Sequence, residues 1–600
     1  ERVTEYEYDG VGNRVLERRV GDAVTAEVET KLEYDASGNL VRKTEAYGSP
    51  EARVTEYTHD VMGNVVTRTV EGRTWSYAYD AKGRLTRVTD PLGHETLLEY
   101  DGRDNLVSIT DAEGRVTSME YDLRDNVIRK IDALLNEEVM SYNPDGKLLE
   151  RTDAEGRGVR IAYDPDGRMT KVVDGNGNEI VFEYGEGSVC SSCGGGGVNK
   201  PRAVVYPTFR KEYRYDRRGR VIAETEVLDA DTMRESTKTY DNAGNVMTRT
   251  DANGNTTSYL YDELGRLTRV TDAEGGVTSF TYDSRDNLLT VTDAEGNVTR
   301  FEYDRLNRVV KETRPMGEVT RYGYDALGNL VEKVDAENRR AHYVYDDAGR
   351  MVRVEYFAVS TDTAPVKTVS FTYDGTGRLT GWDDGIVSGV IGYDAVGRKL
   401  TETVNYPGFS LSYGYTYYRN GRKRSFTGPD GVTYTYTYDA NNQLQGLEIP
   451  GEGVLTVNRY EWTRPAEVSL PGGGRHEYTY DPLMELDVLK AKDPAGNAFM
   501  DRDYGYDAVG NITGFSTLNG DHAFAYDKVY RLLSADHPGP DDEAFTYDAV
   551  GNRVSDASVS GPWTYNQNNE LEQYGGVTLA YDENGSLISG PVDAGSFTFV

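Results

Sequence analysis

The chain has 600 residues, of which 37% are hydrophobic and 28% are charged, and its 100 acidic and 66 basic residues give a net charge of −34. A nucleic-acid-binding protein needs a basic face, and none is visible in this sequence; the acidic balance also argues against binding to an anionic membrane surface. No apolar run reaches the roughly 18 residues that a membrane-spanning helix needs, so no membrane span is predicted.

Residues 1–184 contain the first copies of a repeat. Tyr8-Asp9 and Tyr34-Asp35 each open a Tyr-Asp-x-x-Gly-Asn unit, and His59-Asp60 opens a variant of it. The repeat then becomes regular, with one Tyr every 21 residues at Tyr79, Tyr100, Tyr121, Tyr142, Tyr163 and Tyr184. The chain starts inside a repeat strand, so we expect either a removed leader or a piece of a longer protein.

Residues 185–214 interrupt the repeat with a Gly-rich inserted loop and the re-entry into the next unit. This segment holds the two cysteines of the chain, Cys190 and Cys193. A Cys-x-x-Cys pair serves as a local disulfide, as half of a zinc site or as a redox centre. A disulfide that pins the loop, or free thiols, is favoured because zinc normally takes four ligands and no helix N-terminus is predicted nearby.

Residues 215–356 form the second regular block, and one unit of it explains the repeat. Asp241 can accept a backbone hydrogen bond that starts a turn, and Gly244 supplies the positive φ that closes a hairpin loop. The intervening segments are rich in Thr, Val and Tyr and have strand length. The predicted structural repeat positions are Tyr240, Asp241, Gly244, Tyr261, Asp262, Gly265, Tyr282, Asp283, Tyr303, Asp304, Tyr324, Asp325, Gly328, Tyr345 and Asp346.

Residues 357–600 carry irregular copies, and the strip of repeats is predicted to be open at its end. The segment Tyr434-Thr-Tyr436-Thr-Tyr438 places three rings on one strand face, which indicates packing, with a carbohydrate platform as the alternative. Asp174-Gly-Asn-Gly-Asn178-Glu179 has some features of a calcium loop but lacks the distal Glu, so turn chemistry is the simpler interpretation.

No catalytic constellation is predicted. The carboxylates recur at turn starts, where Asp has a structural role, and no cleft is expected that would separate their pKa values. The histidines follow no metal-site or triad spacing; they are His59, His94, His342, His476, His522 and His537. We therefore predict a protein that is not an enzyme and that needs no cofactor.

The segment Tyr261-Asp-Glu-Leu-Gly-Arg-Leu-Thr-Arg-Val-Thr-Asp-Ala-Glu-Gly275 resembles the YD repeat of the RHS/YD-repeat family, and about two dozen similar copies cover the chain. The resemblance implies a β-strip that spirals into a hollow shell. In bacterial toxin complexes and polymorphic toxins such a shell encloses a toxic domain, and in teneurins it serves adhesion. The cleavage segment, the plug and the cargo of cargo-releasing members are not found in these residues.

The sequence therefore predicts an all-β protein, a long antiparallel strip of β-hairpins wound into a shell or tube. About 50 strands at about 4.8 Å give a strip roughly 240 Å long, or two turns of roughly 20 Å radius. The predicted function is a non-catalytic shell of a secreted bacterial protein that encloses or presents a toxin. The alternative is an extracellular structural or adhesive filament, with identical subunits end to end or a cell-surface or carbohydrate ligand as partner.

Overall fold

The computed structural model describes residues 3–21, 26–185, 199–539, 542–592 and 595–598. These residues are organised almost entirely as β-strands and tight turns. Pro471–Gly473 forms the one helical element within these ranges, a single 3-10 turn. The bounds of the strands follow in chain order.

The strands of the first block are β1 Thr4–Tyr8, β2 Arg14–Arg19, β3 Val28–Tyr34, β4 Leu40–Glu45, β5 Arg53–His59, β6 Val65–Val70, β7 Arg73–Tyr79, β8 Leu85–Thr89, β9 Glu95–Tyr100, β10 Leu106–Thr110, β11 Val116–Tyr121, β12 Val127–Ile131, β13 Glu137–Tyr142, β14 Leu148–Thr152, β15 Gly158–Tyr163, β16 Met169–Val173 and β17 Glu179–Glu183. The strands that follow up to residue 357 are β18 Ala203–Val205, β19 Arg210–Tyr215, β20 Val221–Val227, β21 Met233–Tyr240, β22 Val246–Thr250, β23 Thr256–Tyr261, β24 Leu267–Thr271, β25 Val277–Tyr282, β26 Leu288–Thr292, β27 Val298–Tyr303, β28 Val309–Thr313, β29 Val319–Tyr324, β30 Leu330–Val334, β31 Arg340–Tyr345 and β32 Met351–Phe357.

The strands of the irregular block are β33 Lys367–Tyr373, β34 Leu379–Asp383, β35 Ser388–Tyr393, β36 Lys399–Tyr406, β37 Phe409–Tyr417, β38 Lys423–Thr427, β39 Thr433–Tyr438, β40 Leu444–Ile449, β41 Gly453–Glu461, β42 Arg464–Ser469, β43 Arg475–Tyr480, β44 Leu486–Lys492, β45 Ala498–Tyr506, β46 Ile512–Thr517, β47 Gly520–Tyr526, β48 Leu532–Asp536, β49 Glu543–Tyr547 and β50 Arg553–Asp556. The last strands are β51 Thr564–Tyr565, β52 Leu571–Tyr574, β53 Val577–Thr578, β54 Ala580–Tyr581, β55 Leu587–Val592 and β56 Gly595–Thr598.

Strands β1 to β50 form one antiparallel sheet in which each strand pairs with its neighbours in sequence. Two three-stranded sheets, β51–β53 and β54–β56, follow it. Strand β18 and all but the last residue of β19 lie within residues 199–214, and β18 pairs with both β17 and β19, so the ladder continues through this segment. The predicted all-β strip of hairpins is confirmed.

Each hairpin contains a bulge beside its Tyr-Asp turn. In the pair β23–β24, Tyr261 pairs with Leu267 but Leu260 pairs with Arg269, so Thr268 is the extra residue. The same shift recurs at the Tyr of nearly every repeat, for example between β25 and β26 and between β27 and β28. Bulges increase the local twist of a strand pair, so a bulge in each repeat gives the strip a regular curvature.

The sheet is a single layer, and few side chains are fully buried. Val70 is the largest side chain with less than 2% of its surface exposed. On β23, Tyr259 and Tyr261 share one face and are half-buried, whereas Leu260 on the other face is 53% exposed. Contacts between neighbouring rows of side chains therefore take the place of a deep core.

The strip winds back on itself after 23 strands. Glu51 lies just before β5, and it contacts Arg305, which lies just after β27. At about 4.8 Å per strand, 23 strands give a circumference of roughly 110 Å and a radius of roughly 18 Å. Side chains extend about 5 Å from a sheet, so the enclosed space is roughly 26 Å across.

Candidate functional site: the turn edges and the seam between windings

The predicted repeat positions lie along one edge of the strip, called the YD edge here because its turns follow the Tyr-Asp pairs. Each Tyr ends a strand and each Asp begins the next turn. Gly244, Gly265 and Gly328 adopt left-handed φ angles of 107°, 77° and 94°. In the turns of Asp283 and Asp304 this position is occupied by Asp286 and Asn307, also with positive φ.

The Asp of each turn organises the loop that follows it. Asp262 Oδ1 accepts hydrogen bonds from the N–H groups of Leu264 (2.9 Å) and Arg266 (3.0 Å). Asp262 Oδ2 accepts a third hydrogen bond from Arg266 Nε at 2.7 Å. The Gly265 N–H donates to the Asp262 carbonyl and closes the turn. Asn at the last position makes the same contact through Nδ2, as Asn245 does with Asp241, which explains the Asp-x-x-Gly-Asn/Arg pattern.

The Tyr of each repeat joins it to the preceding repeat. Tyr324 donates its hydroxyl to the Val309 carbonyl at 2.9 Å, and the Arg308 guanidinium lies 4.7 Å from the centre of its ring. Arg308 also donates to the Asp325 carbonyl at 2.8 Å. The hydroxyl contact recurs at Tyr79, Tyr121, Tyr142, Tyr163, Tyr184, Tyr240, Tyr282, Tyr303, Tyr345, Tyr373, Tyr393, Tyr526 and Tyr547. These Tyr residues thus form a ladder along much of the edge.

The opposite edge, called the D edge here, carries the second turn of each repeat. With 23 strands to a winding, β1–β23 form the first winding, β24–β46 form the second, and the strands from β47 begin a third. The D edge of each winding contacts the YD edge of the next winding, and this contact line is called the seam. Its contacts join residues 248 to 289 positions apart. They include Glu51–Arg305, Arg73–Asp347, Glu113–Gly375, Asp153–Asn420, Asp174–Asn441, Arg234–Glu485, Asn253–Asp507, Glu274–Lys528, Glu295–Ala549, Arg314–Glu570 and Asp335–Asn584.

A recurrent glutamate connects the two edges. The sequence Asp-Ala-Glu-Gly occurs four times, beginning at residues 111, 153, 272 and 293. In each copy the Glu carboxylate accepts a hydrogen bond from a backbone N–H just after the first residue of a YD-edge turn. These clasp glutamates are Glu113 with Gly375 (2.7 Å), Glu155 with Arg419 (2.9 Å), Glu274 with Lys528 (2.8 Å) and Glu295 with Ala549 (3.1 Å).

The segment that has features of a calcium loop lies in the seam. Asp174 accepts hydrogen bonds from Asn178 and from Asn441 of the second winding. A Cβ at Gly175 would stand 2.1 Å from the Ala440 carbonyl oxygen, so glycine permits the close approach. The Asp174 carboxylate is thus occupied by the turn and the seam.

Several departures from the repeat pattern mark the seam. Asn442, Tyr530 and Asn569 stand where glycine is usual and adopt positive φ. Tyr530 donates its hydroxyl to Asp251, and Asn442 accepts a hydrogen bond from Arg157 at 2.7 Å. The structure thus shows seam residues that the sequence analysis missed. The sequence feature that could have identified these seam residues is a polar or aromatic residue at a turn position where the repeat usually has glycine.

Hydrogen bonds lower the pKa of several turn carboxylates, of which Asp374 and Asp153 are examples. Burial alone would raise the pKa of Asp374, but bonds from the Arg378 N–H, the Thr376 hydroxyl and the Arg378 guanidinium lower it to about 2. Asp153 is also partly buried, yet bonds that include the Asn420 side chain from the second winding lower its pKa. These carboxylates are held as anions, as their structural role requires.

The other predicted candidates are not brought together into one site. Cys190 and Cys193 lie outside the described residues. His94 contacts Asp90 (2.9 Å), His342 contacts Glu355 (3.0 Å) and His522 contacts His537 (2.8 Å). Over the part of the chain that the structure describes, no group of three or more His, Cys, Asp or Glu side chains is placed to hold a metal ion.

The three tyrosines of β39 are half-buried on one face. Tyr434 stacks on Phe426 with ring centres 6.2 Å apart, and Tyr438 packs edge-on against Tyr418 at 6.0 Å. The rings therefore contribute to packing between strands, and a carbohydrate platform stays a prediction. None of the helical elements described is long and apolar enough to cross a membrane.

A repetitive single-layer β-strip, wound into a spiral and joined turn to turn, is the architecture of a shell protein. The profile of the teneurin YD-shell family matches residues 3–191, 202–364 and 342–464, so the chain belongs to this family. The predicted relationship to YD-repeat shells is confirmed.

Similar proteins include toxins. Over 200 residues the chain is 28% identical to the double-stranded DNA deaminase toxin A of Burkholderia cenocepacia (strain H111), a match that covers 29% of this chain and 14% of that toxin. The crystal structures of TcdB2-TccC3-Cdc42 and TcdB2-TccC3 match 99% of this chain with a TM-score of 0.52 each, at 12% and 13% identity. This chain covers 45% and 43% of those chains, so it spans less than half of their length. At this identity the likeness shows the fold.

Proposed function

We propose that this chain is the non-catalytic wall of a secreted bacterial shell that encloses a toxin or effector. The observation that carries the proposal is the seam, because turn-to-turn contacts between windings convert an open ribbon into a closed wall. The YD-shell family and the fold shared with the TcdB2-TccC3 structures support a shell scaffold. The similarity to a deaminase toxin supports a toxin as the enclosed cargo.

The side chains of the wall serve the architecture. The turn carboxylates are used by their own loops and by the seam, as Asp262 and Glu274 illustrate. This use supports a role without catalysis, since general acid–base chemistry needs a carboxyl group that is free to exchange its proton with a substrate. The net charge of −34 favours solubility of a large extracellular particle.

The size of the enclosed space limits the cargo. The space inside the spiral is roughly 26 Å wide, so its radius is roughly 13 Å. A folded domain of about 100 residues has a radius of gyration of about 13 Å, so it would fill this space completely. A cargo inside these two windings would therefore be a small or incompletely folded segment.

Electron microscopy of the native protein tests the proposal. Discrete hollow particles with additional density inside the wall would support enclosure. Hollow particles that are empty, with all other segments of the protein outside the wall, would refute enclosure of a cargo. They would still agree with the proposal that this chain forms the wall.

Filaments of stacked subunits are the second candidate function. The observation in its favour is that the YD edge of the first winding and the D edge beyond Asp335 are the same two kinds of edge that meet in the seam. The Asp-Ala-Glu-Gly turns end before residue 300, however, so the D edge beyond Asp335 lacks the clasp glutamates. Long tubes with an axial repeat in the micrographs would favour this candidate over the closed shell.

A further inference from the structure

A cavity near the beginning of the seam is lined by arginines from both windings. It has a volume of about 230 Å³ and lies between the first-winding strands β2 to β5 and the second-winding turns at 283–287 and 304–308. The arginines that line it are Arg19, Arg53, Arg285, Arg305 and Arg308. A water molecule needs roughly 10–15 Å³ of such space, so the cavity holds a larger group.

Arg285 is the arginine whose hydrogen-bonding capacity is least satisfied. Its side chain is 7% exposed, and its Nε is buried with no hydrogen-bond acceptor in the described chain. One guanidinium N–H donates to the Arg305 carbonyl at 3.2 Å, and the Asp283 carboxylate is 3.9 Å from Nε. A buried cation with an unmet donor is costly unless an anion accompanies it.

The Asp283 carboxylate is already used by its own turn. Its Oδ1 accepts from the N–H groups of Arg285 and Asn287, both at 2.8 Å, and its Oδ2 accepts from the Asn287 side chain at 2.8 Å. Among the residues that the structure describes, the Arg285 guanidinium therefore has no carboxylate within hydrogen-bonding distance.

The other four arginines each have an acidic partner. Carboxylate contacts are Arg19–Glu17 (3.3 Å), Arg53–Glu45 (2.5 Å), Arg305–Glu51 (3.4 Å) and Arg308–Asp304 (2.6 Å). Burial lowers the pKa of Arg285, and Arg19 and Arg305 lower it further against the opposing effect of Asp283 and Asp304. The positive potential in the cavity thus centres on Arg285.

We propose that this cavity binds a phosphate-type oxyanion, with Arg285 as the principal ligand and Arg19 and Arg305 as the further cationic contacts. A guanidinium offers a planar fork of donors that matches the oxygens of a phosphoryl group. Arg19 belongs to the first winding, and Arg285 and Arg305 belong to the second. A bound oxyanion would therefore bridge the two windings where the seam begins.

Titration of the purified full chain with inorganic phosphate, at constant ionic strength in chloride buffer, tests this inference. Arg285→Gln removes the principal ligand. Arg103→Gln is the matched control, because Asp101-Gly-Arg-Asp-Asn105 repeats the turn Asp283-Ser-Arg-Asp-Asn287 on an edge that no winding covers. Calorimetry should show saturable binding of phosphate to the native chain and to the control variant. Arg285→Gln should bind phosphate at least tenfold more weakly, because a hydrogen bond to a charged group changes a binding constant by a factor of this order.

The inference is overturned if the native chain shows no saturable binding, or if Arg285→Gln binds phosphate as tightly as the control. If Arg285→Gln does not fold, Arg19→Gln replaces it, and we expect it to bind phosphate several-fold more weakly than the native chain. An unchanged circular dichroism spectrum shows that this variant is folded. A phosphate affinity equal to that of the native chain would overturn the inference. Titration with phosphoserine separates the two sources of the ligand. Tighter binding of phosphoserine than of phosphate identifies a phosphorylated molecule as the ligand, and the reverse identifies the free ion.

Discussion

The clasp glutamates offer the sharpest test of the seam. Replacing Glu113, Glu155, Glu274 and Glu295 by Ala removes four hydrogen bonds that cross from one winding to the next. A hydrogen bond contributes about 0.5–1.5 kcal/mol net, and these partners stand near the surface where water can replace the carboxylate. The four sites are far apart, so their effects should add to about 2–6 kcal/mol.

Hydrogen exchange followed by mass spectrometry measures this loss locally. Exchange should accelerate in the turns that these glutamates contact, at 374–378, 418–422, 527–531 and 548–552, by roughly fivefold for each kcal/mol lost. Turns of the first-winding YD edge, such as 101–105 and 122–126, should keep their rates because nothing in the seam supports them.

A second quadruple variant controls for the change in charge. It replaces four exposed turn acids outside the seam by Ala, namely Asp145, Asp166, Glu263 and Glu452. Equal exchange in the two quadruple variants, or acceleration spread evenly over both windings, would refute the assignment of the glutamates to the seam.

Three further predictions follow from single positions. Gly175→Ala should lower the free energy of unfolding, measured with urea, by about 1–3 kcal/mol, because its Cβ would overlap the opposing turn. Gly102→Ala, whose Cβ would have no atom within 4 Å, should leave the free energy of unfolding nearly unchanged. Equal effects of the two substitutions would contradict the close approach at Gly175. Tyr324→Phe should cost about 1 kcal/mol by removing the hydroxyl bond to the Val309 carbonyl, and no loss of stability would contradict the ladder. The pKa of Asp374, about 2 in the folded chain, lies below its ordinary value of 3.8, so its contribution to stability is present above about pH 4 and is lost as pH falls toward 2. Unfolding free energies that are unchanged between pH 5 and pH 2 would contradict this sign.

The fold could be predicted from the sequence because the information is local and repeated. The Asp carboxylate, the left-handed glycine and the following Asn or Arg specify one hairpin within five residues, as Asp262, Gly265 and Arg266 do. When that hairpin is repeated at a fixed period, the regular structure that results is an antiparallel β-strip.

The seam could not be predicted in the same way. Which turns meet depends on curvature accumulated over 23 strands, and no single repeat encodes that sum. Two signals were nevertheless present in the sequence: the confinement of Asp-Ala-Glu-Gly to the first 300 residues, and the Asn and Tyr residues at glycine positions such as Asn442 and Tyr530. Both features serve the contact between windings, and neither is needed to form a single hairpin.

A designed cross-link tests the winding register most directly. An ideal Cβ at Gly375 lies 3.3 Å from the Ala112 Cβ, close to the separation of about 3.5–4.5 Å that a disulfide requires. In a chain with Cys190→Ser and Cys193→Ser, the pair Ala112→Cys and Gly375→Cys should oxidise to an intramolecular disulfide, detected by mass spectrometry of the peptides. The pair Ala112→Cys and Ala395→Cys, one repeat further along the same edge, should stay reduced. Efficient cross-linking of the second pair, or none of the first, would contradict the two-turn spiral.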